Sequence, residues 1–363
     1  MPGTVNGLEL TGFRNYRSAS ITFSPGINLV TGANGQGKTN LLEAIALLSI
    51  GRSIRGATDA RMITWDETRG ILKCTLSDDA PLSTLEMILH AGERKELRID
   101  GAPLANLSEL VGQVRTVTLM PEVIDDQFRS VAGRRRMLDI LVSQADRVYL
   151  EALKRHRGTV RGLNALYKQP SPNTAELDVW EQQLAVVSFE VAARRRELVE
   201  ILREPMAGFY RELFGGGGLT LRMTCSLPVE DSVDACVDVL KASRPQALKQ
   251  GFVMRGAHRD RVEVLLDGRS LESHASQGQT KGAYFAWKLA EGAALKYVTG
   301  SEPLWLVDDP FSEMDRQRSL ALLEMFESRK QVILTTPRDA DLDLTKRDYM
   351  GHVVRDGMIT AAN

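Results

Sequence analysis

Two rhythms of apolar residues divide the chain. Short apolar runs rich in β-branched residues, at 27–30, 71–76, 85–89 and 114–119, read as strands. Between the first two, Leu41, Leu42, Ile45 and Leu48 cover so much of a helical circumference that 38–50 is expected to be a helix lying against a sheet. From Tyr149 the spacing changes to steps of four and three. Tyr149, Leu153, Val160, Leu163 and Tyr167 are followed, after the breaker Pro170-Ser171-Pro172-Asn173, by Leu177, Trp180, Leu184, Val187, Val191, Leu198 and Ile201. His156 and Arg194 fall in slots of the same seam. Two helices on a 3.5-residue repeat, joined by a short turn, predict an antiparallel coiled-coil hairpin with arms of about 30 Å. Glycines at 215–218 close this arm, and a strand at 219–225 and a polar helix at 231–249 follow. Strands then return at 262–266, 304–307 and 332–335, with helices at 280–298 and 317–326. The expected fold is an α/β head built from 1–125 and 252–363, with a helical arm, 126–251, inserted between its halves.

The predicted strand at 27–30 and helix at 38–50 flank Gly32-Ala33-Asn34-Gly35-Gln36-Gly37-Lys38-Thr39, a match to G-x-x-x-x-G-K-[ST] in its required context. Glycines let backbone N–H groups wrap phosphates, and the helix N-terminus adds partial positive charge. Lys38 is placed to reach the β- and γ-phosphates of ATP, and the Thr39 hydroxyl to ligate Mg²⁺. The buried-strand pattern Leu304-Trp305-Leu306-Val307-Asp308-Asp309 is the matching Walker B: Asp308 holds Mg²⁺, and Asp309 stands where a base or water-positioning carboxylate would.

The formal charge of −1, from 46 basic and 47 acidic residues, conceals a local imbalance. Between Arg129 and Lys168 ten basic residues face three acids, a net +7. Arg134, Arg135 and Arg136 lie in the expected first turn of a helix, where cations oppose the macrodipole. Their placement suggests an external anion, and together with Lys154, Arg155, Arg157 and Arg161 they are candidate contacts to the DNA backbone. No run of 18 apolar residues is present, so no membrane partner is expected. Cys74, Cys225 and Cys236 lack CxxC spacing, and Met1–Asn6 carry no basic or apolar leader; a reduced, cytoplasmic protein is expected. The five histidines are scattered, and no metal beyond that of Mg·ATP is implied.

Ala275-Ser276-Gln277-Gly278-Gln279-Thr280-Lys281, ahead of an apolar helix, and Ser312-Glu313-Met314-Asp315, after Walker B, resemble the signature motif and D-loop of ABC-type ATPases. That resemblance implies that Ser276, Gln277, Gly278 and Asp315 face nucleotide bound by a second copy, so that ATP joins two heads. The separation of Lys38 from Ser276 exceeds that of a transporter subunit, while the predicted hairpin is far shorter than the coils of Rad50 and SMC proteins.

Further motifs narrow the family. Leu10-Thr11-Gly12-Phe13-Arg14-Asn15-Tyr16-Arg17, the P-loop continuing through Asn40-Leu41-Leu42-Glu43-Ala44, Ser53-Ile54-Arg55, Pro121-Glu122, Arg134-Arg135-Arg136-Met137-Leu138-Asp139, His258-Arg259-Asp260 and Ser276-Gln277-Gly278-Gln279 occur in one order, and the chain is similar along most of its length to the RecF family of bacterial recombination-repair ATPases. It departs from the family pattern at Ala257, Thr280, Lys281 and Pro310. The resemblance implies a weak, DNA-stimulated ATPase that dimerises on ATP, recognises gapped DNA or single-strand/double-strand junctions, and with RecO and RecR promotes RecA loading and the SOS response. It brings Arg14 and Asn15 into the expected nucleotide site; Arg14 and Arg55 stand open between phosphate contact, bracing of the loops and surface ion pairing. Asp309 is one methylene shorter than the glutamate many ABC ATPases use, which predicts slow turnover. No nuclease activity is expected. The competing reading is an ABC/SMC-like ATPase of a signalling or defence system that takes no part in RecA loading.

Overall fold

The computed structural model describes residues 4–337 and 348–362. Met1–Gly3, part of the stretch read for a leader, lie outside them. The chain begins with β1 (Val5–Phe13), β2 (Tyr16–Thr22), β3 (Gly26–Thr31), α1 (Lys38–Ile50) and the short α2 (Asp59–Met62). Then come β4 (Arg69–Leu76), β5 (Thr84–His90), β6 (Glu96–Ile99), β7 (Ala102–Pro103) and β8 (Thr116–Leu119). The middle comprises α3 (Val131–Ala145), α4 (Arg147–Tyr167), α5 (Thr174–Phe214), β9 (Leu219–Thr224), α6 (Val233–Gln250), β10 (Arg261–Leu266), β11 (Arg269–Ser270) and α7 (Leu271–His274). It closes with α8 (Gln277–Thr299), β12 (Leu304–Asp308), α9 (Arg316–Glu327), β13 (Gln331–Thr336), β14 (Tyr349–Arg355) and β15 (Met358–Ala361).

Two compact units result, one of 1–124, 209–216 and 284–363 and the other of 125–208 and 217–283. Residues 252–283, expected in the head, thus group with the second unit, because β10 hydrogen-bonds to β9 along its length and packs on α3.

The first unit holds two six-stranded sheets. One is antiparallel, in the order β2-β1-β4-β5-β6-β7. The other, β15-β14-β3-β13-β12-β8, is parallel except for the β15 edge. The central strands β12 and β13 are buried throughout, as a covered parallel sheet requires. Helix α1 lies in the core between the sheets, which explains its nearly continuous apolar sequence: Leu41, Leu42, Ile45 and Leu48 share one cluster with Leu10, Leu72, Leu85, Leu306 and Ile333. Because β13 separates β3 from β12, the ends of β3 and β12 bracket a crevice at the carboxyl edge of the sheet, where ligands of open α/β folds bind.

In the second unit α4 and α5 run antiparallel. Tyr167 meets Glu181 near their turn, and Arg155 meets Glu190 farther along. The arm is more than a two-stranded coil. Helix α6 adds Cys236, Val237 and Leu240 to the same apolar cluster, and its Arg244 pairs with Asp178 and Glu181 of α5. The seam also departs from the 3.5-residue repeat. Arg194 is exposed and Arg195 is buried in its stead. The buried positions of α5 recur as Leu184–Arg195–Met206, Ser188–Val199–Tyr210 and Val191–Leu202–Leu213, an eleven-residue spacing close to that of a straight helix. The helix accordingly runs on to Phe214, past Ile201 and through Pro205.

Candidate functional site

The loop between β3 and α1 is shaped before any ligand arrives. Lys38, largely buried, turns its Nζ back into the loop to donate to the carbonyls of Gly32 (2.6 Å) and Ala33 (3.1 Å). Burial lowers its pKa, and the nearby Asp308 and Asp309 carboxylates push it back up. Helix α1 carries no side-chain N-cap and no acid in its first turn, leaving its N-terminal N–H groups to an anion. Ala33, Asn34 and Gly35 are exposed at the loop's tip.

The turn between β1 and β2 braces this loop. Asn15 Nδ2 donates to the Gln36 carbonyl (2.8 Å) and its Oδ1 accepts from Asn40 Nδ2 (2.8 Å), while the Tyr16 hydroxyl donates to the Gly37 carbonyl (2.9 Å). Gly37, at φ +116°, leaves no room for a side chain: a Cβ there would stand 2.5 Å from Asn15 Nδ2. From the other side the Asp356 N–H donates to Gln36 Oε1.

Arg14 does not point at the P-loop. Its guanidinium forks onto Glu43 of α1, with two 2.9 Å hydrogen bonds to a carboxylate that is 0% exposed. Ser53 Oγ donates to the same carboxylate at 2.5 Å. Arg55 lies 3.8 Å from it, pairs with Glu122 at 2.9 Å and donates to Asn40 Oδ1 at 3.2 Å. In this structure Arg14 braces α1 through Glu43, while Arg55 is in a half-exposed ion pair with Glu122 at the edge of the same cluster. Glu43 and Glu122 stand inside quoted motifs, but motif reading gave them no role. The signal for Glu43 was an acid on a helix with no polar face.

At the end of β12, Asp308 ties the two phosphate-site motifs together. Its Oδ2 accepts from Thr39 Oγ1 (2.7 Å) and its Oδ1 from Thr335 Oγ1 of β13 (2.5 Å). Asp309, next along, adopts a left-handed backbone at φ +41°, its N–H donating to Thr335 O at 3.1 Å. A non-glycine residue held there is strained, which is common at active sites.

Ser276 begins α8 with a reciprocal capping box. Its Oγ accepts from the Gln279 N–H (3.2 Å), and its own N–H donates to Gln279 Oε1 (2.8 Å). Ser276, Gln277 and Gly278 are all exposed. Asp315 caps α9 through Arg318 N (3.0 Å) and is also exposed.

The predicted basic cluster separates into two sets. Arg134 is 1% exposed and cannot meet DNA: it donates to the carbonyls of Val262, Phe128 and Arg129 and pairs with Glu272. Arg135 is half-buried, donating to the Asp260 carbonyl at 2.7 Å. Arg136 is exposed. On α4, Arg157 and Arg161 are exposed and Lys154 is partly so, pairing with Glu151; Lys168, exposed, caps the C-terminus of the helix. Steps of three, four and seven place these four on one side of the helix. Arg155 is exposed but paired with Glu190. His258-Arg259-Asp260 is split: Asp260 is buried against Arg195, Arg259 is exposed and lies over the Phe252 ring, and the half-buried His258 meets the Val253 carbonyl through Nε2.

Comparison with known proteins gives one consistent answer. The model of the RecF/RecN/SMC N-terminal domain matches residues 4–360. A DNA replication and repair protein RecF from Heliobacterium modesticaldum is 35% identical over 341 residues, 92% of each chain. Among solved structures, the recombination mediator protein RecF with ATP, in the RecFOR pathway, superposes with a TM-score of 0.91 at 26% identity, over 99% of this chain and 98% of that one. The Smc head domain of Pyrococcus furiosus bound to the C-terminal domain of ScpA, at 16% identity and TM-score 0.56, covers 99% of this chain and 96% of that one and shares the fold.

Proposed function

The chain belongs to the RecF/RecN/SMC N-terminal domain family, and from that premise we propose that it is a RecF-type recombination-repair ATPase, switched by ATP between a single copy and a dimer that engages DNA. The observation that carries the reading is the hydrogen bond from Thr39 to Asp308, which brings a P-loop hydroxyl and a Walker B carboxylate within 2.7 Å.

In this reading the N-terminal amides of α1 and the Lys38 ammonium hold the ATP phosphates. Lys38 exchanges two loop carbonyls for phosphate oxygens. A hard divalent cation takes oxygen donors, and Thr39 Oγ1 with Asp308 Oδ2 suits Mg²⁺ completed by phosphates and water. Bound there, Mg²⁺ would neutralise charge developing on the phosphates. Asp309 accepts a hydrogen bond from the water that attacks the γ-phosphorus, the bond to the β–γ bridging oxygen breaks, and ADP leaves. Its short side chain on a strained backbone supports a slow reaction, suited to a switch.

Ser276, Gln277, Gly278 and Asp315, exposed at the starts of two helices, are offered to the nucleotide of a second copy. The face formed by Lys154, Arg157 and Arg161 of α4 and by Lys168 at its C-terminal cap is the candidate DNA contact, with Arg136 beside Arg135 on α3. Contacts of this kind neutralise phosphates without reading sequence. No helix among the described residues is long and apolar enough to cross a membrane. The preference for gapped DNA or junctions, the work with RecO and RecR, and the loading of RecA follow from the family alone.

The test is paired. Lys38→Met abolishes ATP binding, whereas Ser276→Arg preserves it and blocks ATP-induced dimerisation in light scattering. A Ser276→Arg protein that dimerises normally with ATP and Mg²⁺ removes the serine from the second nucleotide contact.

A further inference from the structure

Trp65 is the most exposed large apolar side chain among the described residues, at 85%, whereas Trp287 and Trp305 are fully buried. The exposure is built in rather than incidental to a loose loop. Thr64 N–H donates to the Gly12 carbonyl (2.9 Å), Glu67 N–H to the Thr64 carbonyl (3.0 Å), and Arg14 N–H to the Met62 carbonyl (2.7 Å). Phe13 and Ile63 form a β-bridge across the same junction. Gly12 packs so closely that a Cβ there would lie 2.6 Å from the Arg69 carbonyl. The indole is therefore held out by the same β1–β2 turn whose next residues, Asn15 and Tyr16, brace the P-loop.

Its surroundings are polar and of mixed charge. Asp66, Glu67 and Thr68 follow it, exposed, and no other exposed large hydrophobic residue adjoins it in sequence. A docking patch for a protein is contiguous and apolar at its centre, unlike an isolated ring. Arg17 on β2, Arg61 on α2 and Arg69 on β4, all exposed, belong to the elements next to Trp65, and of these Arg17 stands 3.8 Å from Glu67. An accessible flat π-face with exposed arginines on the neighbouring elements suits unpaired bases, because every base can stack and cations can meet the flanking phosphates.

We propose that Trp65 is a stacking platform for an unpaired base of single-stranded DNA, with Arg17, Arg61 and Arg69 meeting the adjacent phosphates. The inference rests on the reading that this chain acts on DNA, and deepens it by naming a contact for the single-stranded side of a gap.

Fluorescence anisotropy of the full chain with a labelled oligo(dT), and separately with a blunt duplex, tests it. Trp65→Ala weakens oligo(dT) binding roughly five- to fiftyfold and leaves the blunt duplex unchanged. Trp65→Phe retains most of the oligo(dT) affinity, which distinguishes a stacked ring from a general defect. If Trp65→Ala binds oligo(dT) as tightly as the native protein, the platform is refuted, and a protein would then be the better occupant. Native protein that binds the duplex but not oligo(dT) refutes the platform while sparing the wider reading. Binding to neither refutes both.

Discussion

Arg14→Met separates the two roles that an arginine beside a P-loop can play. In the structure its guanidinium makes two 2.9 Å hydrogen bonds to Glu43, whose side chain is 0% exposed; Arg14 itself is 18% exposed. Removing one partner of a buried pair costs about 3–5 kcal/mol, because the remaining charge is left desolvated. Ser53 Oγ at 2.5 Å and Arg55 at 3.8 Å still serve Glu43, so the lower end, about 3 kcal/mol, is expected. For a unit of this size each kcal/mol shifts the melting temperature by roughly 2–4 °C, which makes the drop about 6–12 °C. Calorimetry without nucleotide reads it directly. Arg14→Met with Glu43→Met recovers much of the loss, since an apolar pair leaves no orphaned charge. A phosphate ligand would behave in the opposite way. If Arg14→Met melts within 2 °C of the native protein without nucleotide and instead loses ATP affinity, the bracing role is wrong.

Two further outcomes follow from buried and exposed arginines in the second unit. Reversing Arg157 and Arg161 to Glu reduces the slope of log DNA affinity against log salt by about two, one for each lost phosphate contact; an unchanged slope removes this face of α4 from the interface. Arg195→Met strips the buried carboxylates of Asp139 and Asp260 of a shared partner, at a cost of about 3–5 kcal/mol at neutral pH. Burial already raises the Asp260 pKa above its ordinary 3.8, with Arg195 the main opposing influence. A raised carboxylate pKa means that the folded chain binds more protons than the unfolded one, so this group's contribution to stability falls as pH rises through the folded pKa. Without Arg195 that pKa climbs further, and the variant's deficit in urea midpoint is larger at pH 8 than at pH 5. Equal deficits at both pH values would contradict the account.

The parts of the fold legible in the sequence are those where local pattern and burial agree. Helix α1 is covered on nearly every side, and its apolar run said so. The P-loop and Walker B signals needed only spacing, and strand order supplied the rest by setting β13 between β3 and β12. Charge was harder to read. Arg134 looked like part of a DNA-binding run because a cation in a helix's first turn lacks a local partner. Besides the nearby carbonyls of Phe128 and Arg129, its partners lie 128 and 138 residues away, at the Val262 carbonyl and Glu272, and no local pattern points to those two. Arg195 was missed for a related reason. A heptad template does not keep step with the eleven-residue spacing of this 41-residue helix, and midway along it the slot at Arg194 is exposed while its neighbour Arg195 is buried. His258 and Asp260 carried a family motif without an evident chemistry; in the second unit Asp260 meets Arg195 and His258 meets the Val253 carbonyl, contacts that no local pattern announces.

The central claim is an ATPase whose cycle is coupled to DNA, and the rate of ATP hydrolysis with and without gapped DNA at moderate salt tests it most directly. The account predicts a slow basal rate that gapped DNA increases and that Lys38→Met eliminates. Hydrolysis that is indifferent to DNA across a range of salt concentrations would contradict it, and would favour an ATPase of a signalling or defence system.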